Sequence, residues 1–321
     1  MRPFLAALLL LMLAAGGAAW WAMRIYGAPG PLPASAAIVV PHGSLAEVAQ
    51  SLQQQGVVNS ALQLQAAALA TFADGPVHAA ELAFPDHASL REVLTVLRTG
   101  RPVQHKLTIP EGLTALQVSA LLAHADALTG DAATPAEGSI LPETYSYERG
   151  TSREQILDRA HRAMVRALDQ AWASRTPGLP LASPHEALVL ASLVERETAR
   201  PDERPLIAGV FINRLRLGMK LQSDPTVVYG ASAGLGVLDH GLTRSELDHD
   251  DAFNTYRIEG LPASPICMPG EASLRAATQP ATTDALYFVA DGTGGHAFSR
   301  TQDEHLHNVA KWRELERARV K

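Results

Sequence analysis

Apolar residues run without a charge from residue 4 to residue 23, FLAALLLLMLAAGGAAWWAM. A helix of about 20 such residues crosses a bilayer, so the stretch predicts a transmembrane span. Beyond it the pattern becomes periodic. Ser44-Leu-Ala-Glu-Val48 and Ser89-Leu-Arg-Glu-Val93 each open an apolar helical pattern that stops at Gly56 or Gly100. In both, Ser precedes Glu by three positions, the capping box that satisfies free N–H groups in a helix's first turn. Short β-prone pieces at residues 37–40 and 103–109 flank the pair and predict a small α+β module.

Longer helices follow. Thr151 and Glu154 predict a capping box for a helix reaching about Ser174, and residues 176–181, rich in Pro and Gly, break it. Ser183-Pro184-His185-Glu186 combines an N-cap, a proline at the first helical position and a capping-box glutamate. A further helix is expected over 203–217, closed by Gly218. Residues 286–290 and 296–299 flank Asp291-Gly-Thr-Gly-Gly295 and predict a hairpin with a glycine-rich loop. No Gly-Lys-Ser/Thr follows those glycines and no helix opens on them, so the loop reads as structural, not as a phosphate cradle.

The fold class expected is α+β: an N-terminal transmembrane helix, a small α+β module, then a mixed helical/β domain. The divisions fall at 1–25 for a cytoplasmic stub and anchor, 26–36 for a Pro/Gly/Ala-rich linker, 37–110 for the module, 111–150 for a connecting subdomain and 151–321 for the last domain. Arg2 before the span favours a cytoplasmic N-terminus with the remainder exported, and Trp20 and Trp21 suit the far interface. A cleaved signal peptide, with small residues at 14–19, is the competing reading. Both export the body of the protein.

Composition narrows the classes. With 321 residues, 47% of them hydrophobic and 19% charged, the chain can build one large or two ordinary cores. A net charge of -6 gives no diffuse basic surface for nucleic acid. The one cysteine, Cys267, excludes an internal disulfide. Twelve histidines raise the question of metal, yet no HExxH or CxxC spacing occurs, and surface histidines explain the best cluster, His305-x-His307 with His296 near, more simply.

The chemistry concentrates in residues 187–230. Glu195 and Glu197 end an otherwise apolar helix, where a buried carboxyl is costly unless paired or kept neutral, and a neutral carboxyl is a proton donor. Two apart on a helix, they point roughly 200° from each other and cannot flank one glycosidic bond. At most one is expected in a site. Leu190, Leu193 and Val194 run through Glu197, whereas Leu188 and Ser192 run through Glu195, so one acid alone is expected to face inward and the periodicity favours Glu197. Surface pairing with Arg196, Arg200 or Arg204 would instead make both unremarkable. Residues 218–226 read as a loop carrying Gln222, Ser223 and Asp224. Asn254, Tyr256 and Ser264 add hydrogen-bonding and aromatic groups suited to a sugar groove.

Several long motifs, in order, resemble one family: LASLVERET, GVFINRLRLGMKLQSDPTVVYG, NTYRIEGLPASPI, PGEASLRAATQPA and DALYFVADGTGGHAFS, with IPEGLT and LPETYSYERGTS upstream. The chain is similar to the MltG, or YceG-like, endolytic transglycosylases of bacterial peptidoglycan. The resemblance implies a LysM-like module at 37–110 and a catalytic domain cleaving the MurNAc-β-1,4-GlcNAc bond to leave a 1,6-anhydro-MurNAc end. It also implies an inner-membrane, single-pass protein with its catalytic domain in the periplasm, acting on glycan strands near peptidoglycan synthesis proteins. One glutamate serves as acid and then base, and the resemblance implies neither a metal nor an organic cofactor. Glu197, followed by Thr198, is similar to the Glu-Ser pair of lytic transglycosylases more widely, and Glu195 is the alternative. Gln222, Ser223, Asp224, Asn254, Tyr256 and Ser264 are the expected substrate-binding residues. A non-catalytic membrane-anchored peptidoglycan-binding protein is the other function compatible with this reading.

Overall fold

The computed structural model describes residues 2–319, with side chains from 7 to 318. Met1, the side chain of Arg2 that orients the expected span, and the last two positions of the expected 151–321 domain lie outside the described residues. The chain forms two compact units, one of residues up to 105 together with 147–149, the other of 106–146 and 150 onward. Of residues 111–150, expected as a connecting piece, 147–149 belong to the first and the rest to the second.

The first unit begins with α1 (Arg2–Gly27), whose stretch Ala7–Gly27 is long and apolar enough to cross a membrane. It continues with β1 (Ala36–Val39), α2 (Leu45–Gln54), α3 (Ala61–Ala70), β2 (Glu81–Phe84) and α4 (Leu90–Thr99). Both expected capping boxes form. The Ser44 N–H donates to Glu47 Oε2 at 2.6 Å, and the Ser89 N–H to Glu92 Oε2 at 2.8 Å. Strands β1 and β2 pair antiparallel, Ala36 opposite Phe84 and Val39 opposite Glu81. Leu52, Leu64, Phe84, Leu94 and Leu97 fill the core. Helix α3 escaped the sequence reading because it is apolar nearly all round and shows no amphipathic period.

Residues 26–36 are not a free spacer. Leu32 is buried in this core, Gly30 N–H donates to His87 O at 2.9 Å, and His87 N–H to Leu32 O at 2.8 Å. A Cβ on Gly30 would overlap the Ala88 carbonyl oxygen, so glycine is required there. Strand β3 (Gln104–Thr108) does not join β1; its partner is β4 (Thr144–Glu148), with α5 (Ala115–Ala123) between them in sequence.

The second unit then runs through α6 (Arg153–Ala173), α7 (Pro184–Glu197), α8 (Arg204–Arg216), α9 (Asp224–Ala231), α10 (Arg244–Asp248), α11 (Glu271–Thr278), β5 (Tyr287–Ala290), β6 (His296–Ser299) and α12 (Gln302–Arg319). Helix α7 is central, packed on α6, α8, α9 and α11, and every residue from 187 to 194 is buried. Fully burying one leucine there stabilises by about 1.5–3 kcal/mol, which fixes α7 and the acids at its end.

Three expectations shift by small amounts. The cap of α6 is Ser152 with Gln155, one residue later than Thr151 with Glu154. Ser183 caps α7 as expected, but the Glu186 carboxylate accepts from Ala182 N–H at 2.7 Å, one position before the cap. The loop 218–226 ends at Ser223, because Asp224 already begins α9 with Pro225 in its first turn. Gly218 closes α8 as expected: at φ +66°, it donates to Leu215 O at 3.2 Å while Met219 N–H reaches Arg214 O at 2.9 Å, the Schellman arrangement. The hairpin β5–β6 also forms, with Tyr287 opposite Ser299, and its loop is held by Asp291 Oδ1 accepting from Thr293 N–H at 2.7 Å.

Candidate active site

Glu197 is the last helical residue of α7, and Thr198 leaves in extended conformation. The carboxyl therefore sits at the negative end of the helix dipole, which disfavours its charged form. Burial, foremost, and the charge of Asp224 push it up to about 7, against the lowering effects of the Ser223 hydrogen bond and of Arg214 and Arg196. The Ser223 hydroxyl donates to Glu197 Oε1. No salt bridge among the described residues reaches Glu197. Such a group carries a proton near neutral pH and gives it up readily, as a general acid that later serves as base must.

Glu195 is also withdrawn from solvent, so the expectation that one acid alone faces inward does not hold. Its environment differs in kind. Glu195 Oε1 accepts from Arg204 Nη2 at 3.0 Å and Oε2 from Gly270 N–H at 2.9 Å, while Arg204 Nη2 also donates to Glu111 Oε2 at 3.2 Å. Burial, foremost, and the neighbouring charge of Glu195 raise the Glu111 carboxyl. Of the three arginines considered as ion-pair partners, Arg204 is the one used. Arg196 donates to the carbonyls of Gly112 and Gly236 at 3.1 and 2.8 Å, and Arg200 pairs with Asp202.

Ser223 is held from below. Its N–H donates to Thr255 Oγ1 at 2.9 Å, and its carbonyl accepts from Thr226 Oγ1 at 2.6 Å. Thr226 and Thr255 are themselves 2.9 Å apart through their hydroxyls, both fully buried. Gln222 sits at φ +51°, an uncommon conformation for a non-glycine residue that costs on the order of 1–3 kcal/mol. Two contacts hold it: its N–H donates to Thr255 O at 3.1 Å, and its Oε1 accepts from Arg214 Nη1 at 3.3 Å. Arg214 also donates to Lys220 O, Leu221 O and Leu286 O, at 3.1, 2.9 and 2.6 Å, pinning the loop to the hairpin segment.

The Tyr256 hydroxyl donates to Asp224 Oδ1 at 2.5 Å, and burial followed by Asp224 raises the phenol well above its ordinary value. Gln222, Ser223, Asp224 and Tyr256 thus gather with Glu197. Two expected residues do not join them through their side-chain polar atoms. Asn254 is buried, its Nδ2 donating to the carbonyls of Glu246, Leu247 and His249 while Oδ1 accepts from Tyr256 N–H at 3.0 Å. It shapes the turn that carries Tyr256. The Ser264 hydroxyl donates to Pro265 O at 3.1 Å, within its own turn.

The YceG-like family model matches residues 38–311. The chain belongs to that family. This YceG-like chain is 37% identical over 181 residues to the endolytic murein transglycosylase of Bacillus subtilis (strain 168), covering 55% of the chain and 47% of the relative. It is 34% identical over 182 residues to the endolytic murein transglycosylase of Streptococcus pneumoniae serotype 2 (strain D39 / NCTC 7466), covering 54% and 32%. The chain therefore matches less than half the length of these curated relatives. A crystal structure of a yceG-like protein from Listeria monocytogenes superposes with a TM-score of 0.52 at 28% identity, over 86% of this chain and 99% of that one.

Sequence reasoning passed over Arg214, Thr226 and Thr255. Arg214 lies in the last turn of an expected helix, where a basic residue is ordinary. The threonines stand in quoted motifs, but only their meeting across 29 positions gives them a role.

Proposed function

We propose that this YceG-like chain is a lytic transglycosylase acting on the glycan strands of peptidoglycan, with Glu197 as its catalytic acid and base. The observation that carries the reading is the partly buried Glu197 carboxyl at the end of α7, hydrogen-bonded by Ser223 and raised to about 7. The names of its relatives supply the substrate class.

The reaction follows from one such group. Protonated Glu197 donates its proton to the glycosidic oxygen of a MurNAc-β-1,4-GlcNAc bond as that bond to C1 breaks. The resulting carboxylate takes the proton of the muramyl C6 hydroxyl as O6 closes on C1, leaving 1,6-anhydro-MurNAc on one fragment and a GlcNAc hydroxyl on the other. No water enters. Gln222, Asp224 and Tyr256 are the groups proposed to line the sugar groove, Ser223 orients the carboxyl, and Asn254 acts through Tyr256. The order β1-α2-α3-β2 supports the LysM-like reading of the first unit, and α1 supports membrane anchoring; a catalytic domain on the periplasmic side is part of the same proposal.

Digestion of purified glycan strands, with products weighed by mass spectrometry, tests this. Wild type is expected to release anhydro-muramyl ends, and Glu197→Gln to lose about 10²–10⁴-fold in rate, the usual contribution of a general acid–base. Products one water heavier would replace the reaction by hydrolysis. An active Glu197→Gln beside a folded, inactive Glu195→Gln would move the role to Glu195.

A further inference from the structure

Helix α3 carries an apolar stripe that its own unit does not cover. Leu64 and Ala68 face the core, whereas Leu62, Ala66, Leu69 and Ala70 are exposed, and Phe72 and Ala73 extend the row in the next turn. Leu62, Leu69 and Phe72 are 77%, 68% and 76% exposed. No charged residue stands between Glu47 and Asp74. Single exposed leucines are ordinary, but a continuous uncharged row of this kind marks an interaction surface.

What adjoins the stripe identifies its partner. Trp21, Met23 and Tyr26 of α1 and Ala66, Ala67 and Ala70 of α3 line one pocket of about 390 Å³. Ile25 and Tyr26 pack on the core that also holds Leu64, so the foot of α1 and α3 form one body. Trp20 and Trp21 are both 62% exposed, and paired tryptophans at the end of a span sit at headgroup level. A span ending there carries the exposed row of α3 to the same boundary, where an apolar helix face lies in the interface plane.

We propose that α3 rests in the lipid leaflet on the side of the folded region, with an acyl chain entering the pocket between α1 and α3. The first unit is then seated on the bilayer, not tethered above it. This rests on the membrane-anchor reading of α1, and the test separates the two.

The full chain is placed in nanodiscs of phosphatidylethanolamine and phosphatidylglycerol, with single environment-sensitive labels on Leu11→Cys, Leu62→Cys, Leu69→Cys or Phe72→Cys; native Cys267 is buried and does not react. Labels at 62, 69 and 72 are expected to lose fluorescence to lipids brominated on their acyl chains and to resist iodide from water. Quenching by iodide instead, with the label at 11 quenched by bromolipid, overturns the seat and keeps the anchor. Protection from both quenchers at 62, 69 and 72 also overturns it, pointing to a protein partner. Iodide quenching at all four positions removes seat and anchor together.

Discussion

Glu197 and Glu195 are separated by one residue and by their chemistry. Glu195 answers a buried arginine and a backbone N–H, whereas Glu197 meets one hydroxyl and the repulsion of Asp224. The neighbours of Glu197 act on it with opposite signs, which the pH dependence of kcat/KM reads. An acid that must begin protonated loses activity as pH rises through its pKa, so the alkaline limb is expected near pH 7. Ser223→Ala removes a lowering contact and shifts that limb to higher pH; Asp224→Asn removes a raising charge and shifts it to lower pH. Movement of both in the same direction would contradict the assignment. Stability follows from the same shift. A carboxyl raised in the folded state contributes fully below its unfolded value of 4.5, and that contribution is lost as pH rises through about 7. Glu197→Gln, which does not ionise, is therefore expected to be more stable than wild type by roughly 3 kcal/mol above pH 7 and equal to it near pH 4. Denaturant unfolding at the two pH values measures the difference.

At the scale of elements, α7 and α8 bring the chemistry together by how closely they pack. Gly209 of α8 faces residues 281–283, where a Cβ would stand 2.6 Å from the Ala281 carbonyl oxygen and 2.9 Å from Thr283 Cγ2. Helix propensity alone favours Gly209→Ala by about 1 kcal/mol. The close backbone approach is expected to reverse that sign, and a lowered melting temperature checks it; a raised one would show that 281–283 can yield. Helix boundaries were legible because caps are local: Ser44, Ser89 and Ser183 act where their sequence neighbourhood says they should. The start of α9 was obscured because Ser223 serves two elements, preceding the helix while its hydroxyl turns to Glu197.

For the whole molecule, the expected outcome is a chain that stays with membranes after a carbonate wash, is released by detergent, and retains the mass of its first 27 residues. A soluble product shortened near residues 14–19 would instead establish a cleaved signal. The sequence by itself determined the apolar span, the two capped helices before residue 100, the hairpin ahead of the last helix and the segment holding the acids, since each follows from contiguous patterning and short-range hydrogen bonding. It also singled out two residues as candidates for the acid. Only tertiary structure decided their environments, because burial and charge at a carboxyl are set by groups distant in the chain: Arg204 and Gly270 around Glu195, Ser223 and Asp224 around Glu197. The same reason made Asn254 a support for Tyr256, joined Thr226 to Thr255 beneath Ser223, and left the row of α3 uncovered beside the foot of α1.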